Sequence, residues 1–295
     1  MIRSVLRVAV ALLATAWFAS ISAAPFPSGV SQRTLEIDGT ALEVHVFKPS
    51  DYAGKGLLIT LHGLKRNATG YLEYARALAE RHGLLLVAPR FDRERFPTWR
   101  YQTGGIARRV APSESLQLEA EALWTVTLLR HLVERIRREE GAPHLPYSLV
   151  GHSAGGQFLS RFAAFVPNEA RRIVIANPST YVWPTREVRF PFGFGGLPER
   201  LADDEALRRY LAQPVTIFLG SADVHRDAHL NVSDEAMRQG ANRRERGRRV
   251  FEAAQALAQE KGWTFAWRLV EAPDVGHSAR AMYASPAADA ALAGY

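Results

Sequence analysis

The stretch Tyr147-Ser148-Leu149-Val150-Gly151-His152-Ser153-Ala154-Gly155-Gly156-Gln157-Phe158 decides how this chain is read. A short apolar run ends in Gly-x-Ser-x-Gly, and a helical pattern with Phe158, Leu159, Phe162 and Phe165 on one face follows at once. In a strand-to-helix reversal, Gly151 and Gly155 leave room for a tight turn that any side chain would block. Ser153 is then held at the tip in a strained backbone conformation, its hydroxyl exposed. The pattern predicts a nucleophilic serine. A serine hydroxyl is a weak nucleophile at neutral pH, so the chain must also supply a histidine to take its proton and a carboxylate to orient the imidazole.

Working outward, the flanks read as alternating strands and helices. Residues 33–47 form a hairpin: Leu35 and Ile37 alternate, Asp38-Gly39 gives the turn, and Leu42, Val44 and Val46 alternate again. The apolar runs at 56–61 and 84–88 have the pattern of strands buried on both faces, and 148–150, 173–176, 215–219 and 264–270 read as further strands. Helices are expected after Asn67, from Ser113 or Ser115 to about Glu140 (stripe Leu116, Leu123, Val126, Leu129, Val133, Ile136), after Ser153, and around Val250, Ala254 and Leu257. The alternation implies an open, mostly parallel sheet with helices on both faces and an antiparallel hairpin at its start, an α/β fold. Ligands of such sheets bind outside the carboxyl ends of the strands.

Two strand ends supply the missing partners. Gly220-Ser221-Ala222-Asp223 follows the run ending at Leu219, and Gly276-His277-Ser278 follows the last run. The order Ser153, Asp223, His277, each just past a strand, is that of an α/β-hydrolase triad. Asp227 and Asp274 compete with Asp223; His62, His152, His225 and His229 compete with His277. His225 and His229 flank Asp227 at helical spacing, but no third metal ligand is evident, so neither a metal nor another cofactor is expected.

The Gly-His-Ser-Ala-Gly-Gly run with the later Asp and His resembles the α/β-hydrolase superfamily over nearly all of the chain. Among its secreted serine esterases, the chain resembles poly(3-hydroxybutyrate) depolymerase-like and feruloyl-esterase-like proteins. The resemblance implies Ser153 as nucleophile, His277 as general base and then acid, and Asp223 as orienting carboxylate. His62-Gly63 after the first central run also matches, and implies an oxyanion site made by the backbone N–H groups of Leu64 and Ala154. The expected function is hydrolysis of carboxylic esters through an acyl-enzyme, on an apolar, aryl or polyester-type small or polymeric substrate. A serine peptidase or amidase, or a non-catalytic binding protein on the same scaffold, is the alternative.

Substrate choice falls to the loops. Trp99, Tyr101, Tyr181 and Trp183 are candidate cleft residues, and 184–212, rich in Phe, Gly and Pro at its start, is a candidate small lid or insertion. The cluster Arg243, Arg244, Arg246, Arg248 and Arg249 reads as a solvated helix face.

Composition sets the outer bounds. The 295 residues, 47% hydrophobic, fit a single catalytic domain over 25–295. With no cysteine, disulfides and thiolate chemistry are excluded. The formal charge of +7 comes with no nucleic-acid-binding motif. Residues 1–24 read as a secretory signal: Arg3 and Arg7, an uncharged run over 8–19 shorter than the about 20 residues of a membrane span, then Ser20-Ile21-Ser22-Ala23-Ala24. A secreted or periplasmic protein without a stable membrane anchor is expected.

Overall fold

The computed structural model describes residues 24–109 and 116–294. Residues 1–23 of the leader read over 1–24, and Ser113 and Ser115, lie outside the described residues. Eight strands form one sheet in the spatial order β1-β2-β4-β3-β7-β8-β9-β10. These are β1 (Gly29–Ile37), β2 (Thr40–Lys48), β3 (Leu57–Leu61), β4 (Leu85–Pro89), β7 (Tyr147–His152), β8 (Arg172–Ala176), β9 (Val215–Gly220) and β10 (Arg268–Ala272). The short strands β5 (Ala107–Arg109) and β6 (Leu116–Leu118) pair separately as a small hairpin. β1 and β2 are antiparallel, β2 meets β4 antiparallel, and all later pairs are parallel. The expected sheet, with its antiparallel start, is present.

The continuous apolar runs are explained by two cores. Leu57, Ile59 and Leu61 of β3, with Leu149, Ile173, Ile175, Val215, Ile217 and Leu219, face the larger core. There they meet Val126, Leu129 and Val133 of the helix Thr125–Glu139, Phe158 and Phe162 of Ala154–Phe165, and Val250 and Ala254 of Arg243–Lys261. The alternate residues Leu58, Val150, Val174 and Phe218 face the second core, with Leu72, Ala75 and Leu78 of Ala68–His82 and Met282 of Ala279–Ala284. Every position on the central strands is buried because helices cover both sheet faces. Asn67 caps the helix Ala68–His82, its Oδ1 accepting from Gly70 N–H at 3.0 Å.

Two boundaries differ from the sequence expectation. No helix runs through Leu116 and Leu123: Leu116 belongs to β6, and Leu123 ends a short 3-10 turn and is 58% exposed. The helix starts at Thr125 because the loop of Gly104 and Gly105 docks on its first turn, Val126 N–H donating to Gly104 O at 3.2 Å. Both glycines have positive φ, and a Cβ on Gly105 would lie 2.8 Å from Thr125 Oγ1. The last strand begins at Arg268, not near Thr264: Trp267 turns into the larger core and donates from Nε1 to Tyr210 O at 3.1 Å.

The chain runs from β3 to β4 on one side, then crosses back to β7 on the other side of β3. The crevice at this reversal lies outside the carboxyl ends of β3 and β7, where Leu64 and Ser153 follow.

Candidate active site

Ser153 occupies the turn between β7 and the helix Ala154–Phe165 with φ 58° and ψ −115°. Its own N–H is tied to Ala176 O at 2.9 Å, and its carbonyl accepts from Gln157 N–H at 3.0 Å. The flanking glycines are required by contact. A Cβ on Gly151 would lie 2.4 Å from Gly155 O, and one on Gly155 would lie 2.4 Å from Leu61 O. Helix and strand cross so closely that neither position has room for a side chain.

The loop after β9 and the loop after β10 bring two groups to this turn. His277 Nε2 lies 3.1 Å from Ser153 Oγ, and His277 Nδ1 lies 2.7 Å from Asp223 Oδ2. With Nδ1–H donating to the buried Asp223 carboxylate, Nε2 is left to accept the serine proton. The β9 loop is fixed from below: Gly220 N–H donates to Asn177 Oδ1 at 2.9 Å, and Ala222 N–H to Val275 O at 3.0 Å.

The competing residues have other partners. Asp227 receives both Arg243 guanidinium nitrogens, at 2.7 and 2.9 Å, and these bonds hold its carboxyl well below the usual range. Asp274 is exposed, at φ 57°. His62 is buried, with Nδ1–H donating to Gly63 O at 3.1 Å and Nε2 accepting from Phe91 N–H at 3.0 Å. Burial, the largest cause, lowers its pKa to about 3, so it stays neutral and braces the loop carrying Leu64. His152 packs its ring 4.6 Å from that of His277 and lies 3.4 Å from Tyr71 Oη. Burial, then the neighbouring His277 and Arg243, push its pKa well below 6.5. His225 and His229 are exposed. Among the described residues no group of three His, Cys, Asp or Glu could hold a metal ion.

Ser153 and His277 open onto a cleft of about 520 Å³, which Gly63, Leu64, Tyr71, Tyr74, His152 and Ser278 also line. Ala154 is the first residue of its helix, where an N–H has no intrahelical acceptor. Leu64, expected with Ala154 to supply backbone N–H donors, lines the same cleft as Ser153.

The four aromatic residues expected to contact substrate do not line this cleft. Tyr101 is fully buried; its Oη donates to His62 O at 2.7 Å, and its ring packs on Phe91 and Phe158. It supports the Leu64 loop from beneath. Tyr181 is fully buried too, its backbone paired with the Gln239 amide at 3.0 and 2.8 Å. Trp183 lines a separate cavity of about 430 Å³ with Val188 and Phe192. Trp99 is half-buried between Arg100 and Arg108, each 5.4 Å from its ring. The segment 184–212 is also absent from the Ser153 cleft, because Phe190 and Phe194 anchor it on Phe165.

Three features escaped the sequence reading. Tyr71 and Tyr74, three residues apart on one helix, are the aromatic residues of the cleft. Lys65, Arg93 and Arg280 sit on its rim. Arg243 and Arg246 are completely buried, so the Arg cluster is not a solvated face throughout. The available signal was position: Lys65 follows β3, Arg93 follows β4, and Arg280 follows His277 by three residues.

No family model matches the chain, and no curated protein does. Solved structures do. The chain is similar to LpqC, a poly(3-hydroxybutyrate) depolymerase from Bordetella parapertussis, at 31% identity and a TM-score of 0.80 over 89% of this chain and 90% of that one. It is similar to poly(aspartic acid) hydrolase-1 from Sphingomonas sp. KT-1 at 29% identity, with a TM-score of 0.80 over 87% of this chain and 96% of that one. The BES protein from Bacillus cereus shares the fold at 15% identity, with a TM-score of 0.53 over 92% and 97% of the two chains.

Proposed function

The chain belongs to the α/β-hydrolase superfamily and is similar to poly(3-hydroxybutyrate) depolymerase-like hydrolases, and from that premise we propose that it is a serine esterase working through an acyl-enzyme. The observation that carries this reading is His277 standing between Ser153 and Asp223, 3.1 Å from one and 2.7 Å from the other, at the floor of an open cleft. Ser153 Oγ attacks the ester carbonyl carbon while its proton passes to His277 Nε2. The negative charge reaches the carbonyl oxygen, which the N–H groups of Leu64 and Ala154 receive; each such donor is worth about 10²–10³-fold in rate. The C–O bond to the alcohol breaks as His277 returns the proton to the leaving oxygen. Water then gives its proton to His277, its oxygen attacks the acyl carbon, and Ser153 leaves with the proton restored. Asp223 fixes the imidazole throughout and stabilises its cationic form.

The test is active-site labelling. A fluorophosphonate should label Ser153, and Ser153→Ala should abolish both labelling and turnover of a p-nitrophenyl ester without changing the fold by circular dichroism. Undiminished turnover in that variant overturns the assignment.

The likeness to poly(aspartic acid) hydrolase-1 favours one second reading, since that polymer is joined by amides. The same triad would then cleave an amide, and matched ester and amide substrates separate the two. We also propose, from Arg3, Arg7, the uncharged run and the small residues before Pro25, that the protein acts outside the cytoplasm, secreted or periplasmic. Among the described residues no helix is long and apolar enough to cross a membrane.

A further inference from the structure

The formal charges on the walls of the Ser153 cleft are all of one sign. Lys65, Arg93 and Arg280 line it, His229 lies beside them, and no Asp or Glu among the described residues does. Many of the chain's other cations are paired: Arg33 with Glu139, Arg135 with Glu139, Arg243 with Asp227, and Arg244 and Arg248 with Glu271. None of the three cleft cations has a carboxylate partner among the described residues. Of the two acids that flank Arg93 in sequence, Asp92 is bound by Arg95 at 2.7 Å, and Glu94 forms no ion pair with any of the three cations.

Two of these cations are held in place. Arg93 Nη2 donates to Leu64 O at 3.1 Å, which fixes its guanidinium to the loop that carries Leu64. The Arg280 guanidinium lies 5.0 Å from the centre of the Tyr74 ring, a cation–π contact that leaves its N–H edge open. Lys65 is exposed, its ammonium carried on a four-carbon stem. Three like charges around one cavity give it a positive potential that favours the entry of an anion.

We propose that the substrate carries a carboxylate on its acyl chain, seated against Arg93, Arg280 and Lys65 while its ester or amide carbonyl meets Ser153. The inference rests on the serine-hydrolase reading and names that site's substrate class: an acidic chain, in place of the apolar or aryl ester expected from the sequence. Tyr71 and Tyr74 supply the apolar wall for the methylenes between carboxylate and carbonyl. The reaction is unchanged: water's hydroxyl joins the acyl carbon, its proton goes to the leaving oxygen or nitrogen, and the distant carboxylate takes no part in bond making.

The experiment compares monomethyl glutarate with dimethyl glutarate, two esters of one skeleton that differ in the free carboxylate, by initial rates in a pH-stat. At low salt kcat/KM for the monoester should exceed that for the diester by about tenfold or more, and the advantage should shrink as salt is raised. In Lys65→Gln/Arg280→Gln the ratio of the two values should fall by about fivefold or more. The ratio is the readout, so a general loss of activity does not mimic the effect. In parallel, glutarate should slow fluorophosphonate labelling of Ser153 in the wild type and lose that protection in the variant. Preference for the diester, or a ratio and a protection that the substitutions leave unchanged, overturns the proposal. Failure of the serine-hydrolase reading looks different: Ser153 takes no label with or without glutarate, and the present inference falls with it.

Discussion

Ser153 stands at φ 58°, in the left-handed region, which costs a non-glycine residue on the order of 1–3 kcal/mol. The neighbouring residues hold it there. Ala176 O takes its N–H, and Gly155 lets the helix approach the end of β3. Gly155→Ala is therefore expected to destabilise the protein by about 2 kcal/mol or more, since its Cβ would meet Leu61 O at 2.4 Å and His62 O at 3.0 Å, both backbone atoms. Ester turnover should fall with it, because the displaced atoms lead into the Leu64 loop. Urea unfolding and a p-nitrophenyl ester assay check both; wild-type stability in this variant would mean that the crossing is looser than described. At the same scale, Asp223 and Asp227 are separable. Asp223→Asn should lower kcat by about 10³–10⁴-fold through loss of the imidazole orientation, and Asp227→Asn by less than about tenfold. Equal losses would contradict the assignment of the orienting carboxylate.

At the scale of elements, the helix Arg243–Lys261 ties the Asp223 loop to the body of the fold. Arg243, Arg246, Gly247, Val250, Ala254 and Ala258 form its inner face. Arg246 donates to Gly240 O at 2.8 Å and Asn231 O at 2.9 Å, and Arg243 binds Asp227 while reaching Asp223 Oδ1 at 3.5 Å. Arg243 is thus a positioning residue for Asp223. Arg243→Gln should lower kcat by about tenfold or more while KM for a neutral ester stays within about twofold, as expected when orientation rather than binding is lost. A change confined to KM would argue against it. This face marks where the sequence ceases to be legible. Central strands are legible because burial on two faces demands unbroken apolar runs, and the serine turn is legible because its glycines answer to backbone contacts. A run of five arginines within seven residues reads as a solvated surface, since nothing local reveals the carbonyls and carboxylates that buried Arg243 and Arg246 satisfy. The aromatic loop residues fail for the same reason. Tyr101 and Tyr181 look like cleft residues by position, yet their partners, His62 O and Gln239, are supplied by tertiary contact. The helix stripe through Leu116 and Leu123 is cut by a loop docking that periodicity does not register.

For the whole molecule, two buried histidines beneath the cleft couple folding to pH. His62 has its pKa lowered to about 3 and His152 well below 6.5, in both cases first by burial. Each is neutral in the folded protein and takes up a proton near pH 6.5 when unfolded. The unfolded chain therefore binds more protons between these values, and stability rises with pH across that window. The stabilising difference is complete above pH 6.5 and is lost progressively as pH falls toward 3. Between pH 6.5 and 5, His62 alone removes about 2 kcal/mol, a fall of 1.5 pH units at about 1.4 kcal/mol each. The carboxylates act lower. Arg248 and Arg244 draw Glu271 down to about 2, and Arg243 holds Asp227 low, so their contributions are retained until pH drops below about 4. Urea unfolding at pH 7.5 and pH 5 should thus show the wild type losing about 2 kcal/mol or more, before the acid-paired groups titrate. His62→Asn should start from a lower stability, having lost the Gly63 and Phe91 bonds, but lose less between the two pH values. Equal stability at pH 7.5 and 5, or an unchanged slope in the variant, would remove His62 as the cause.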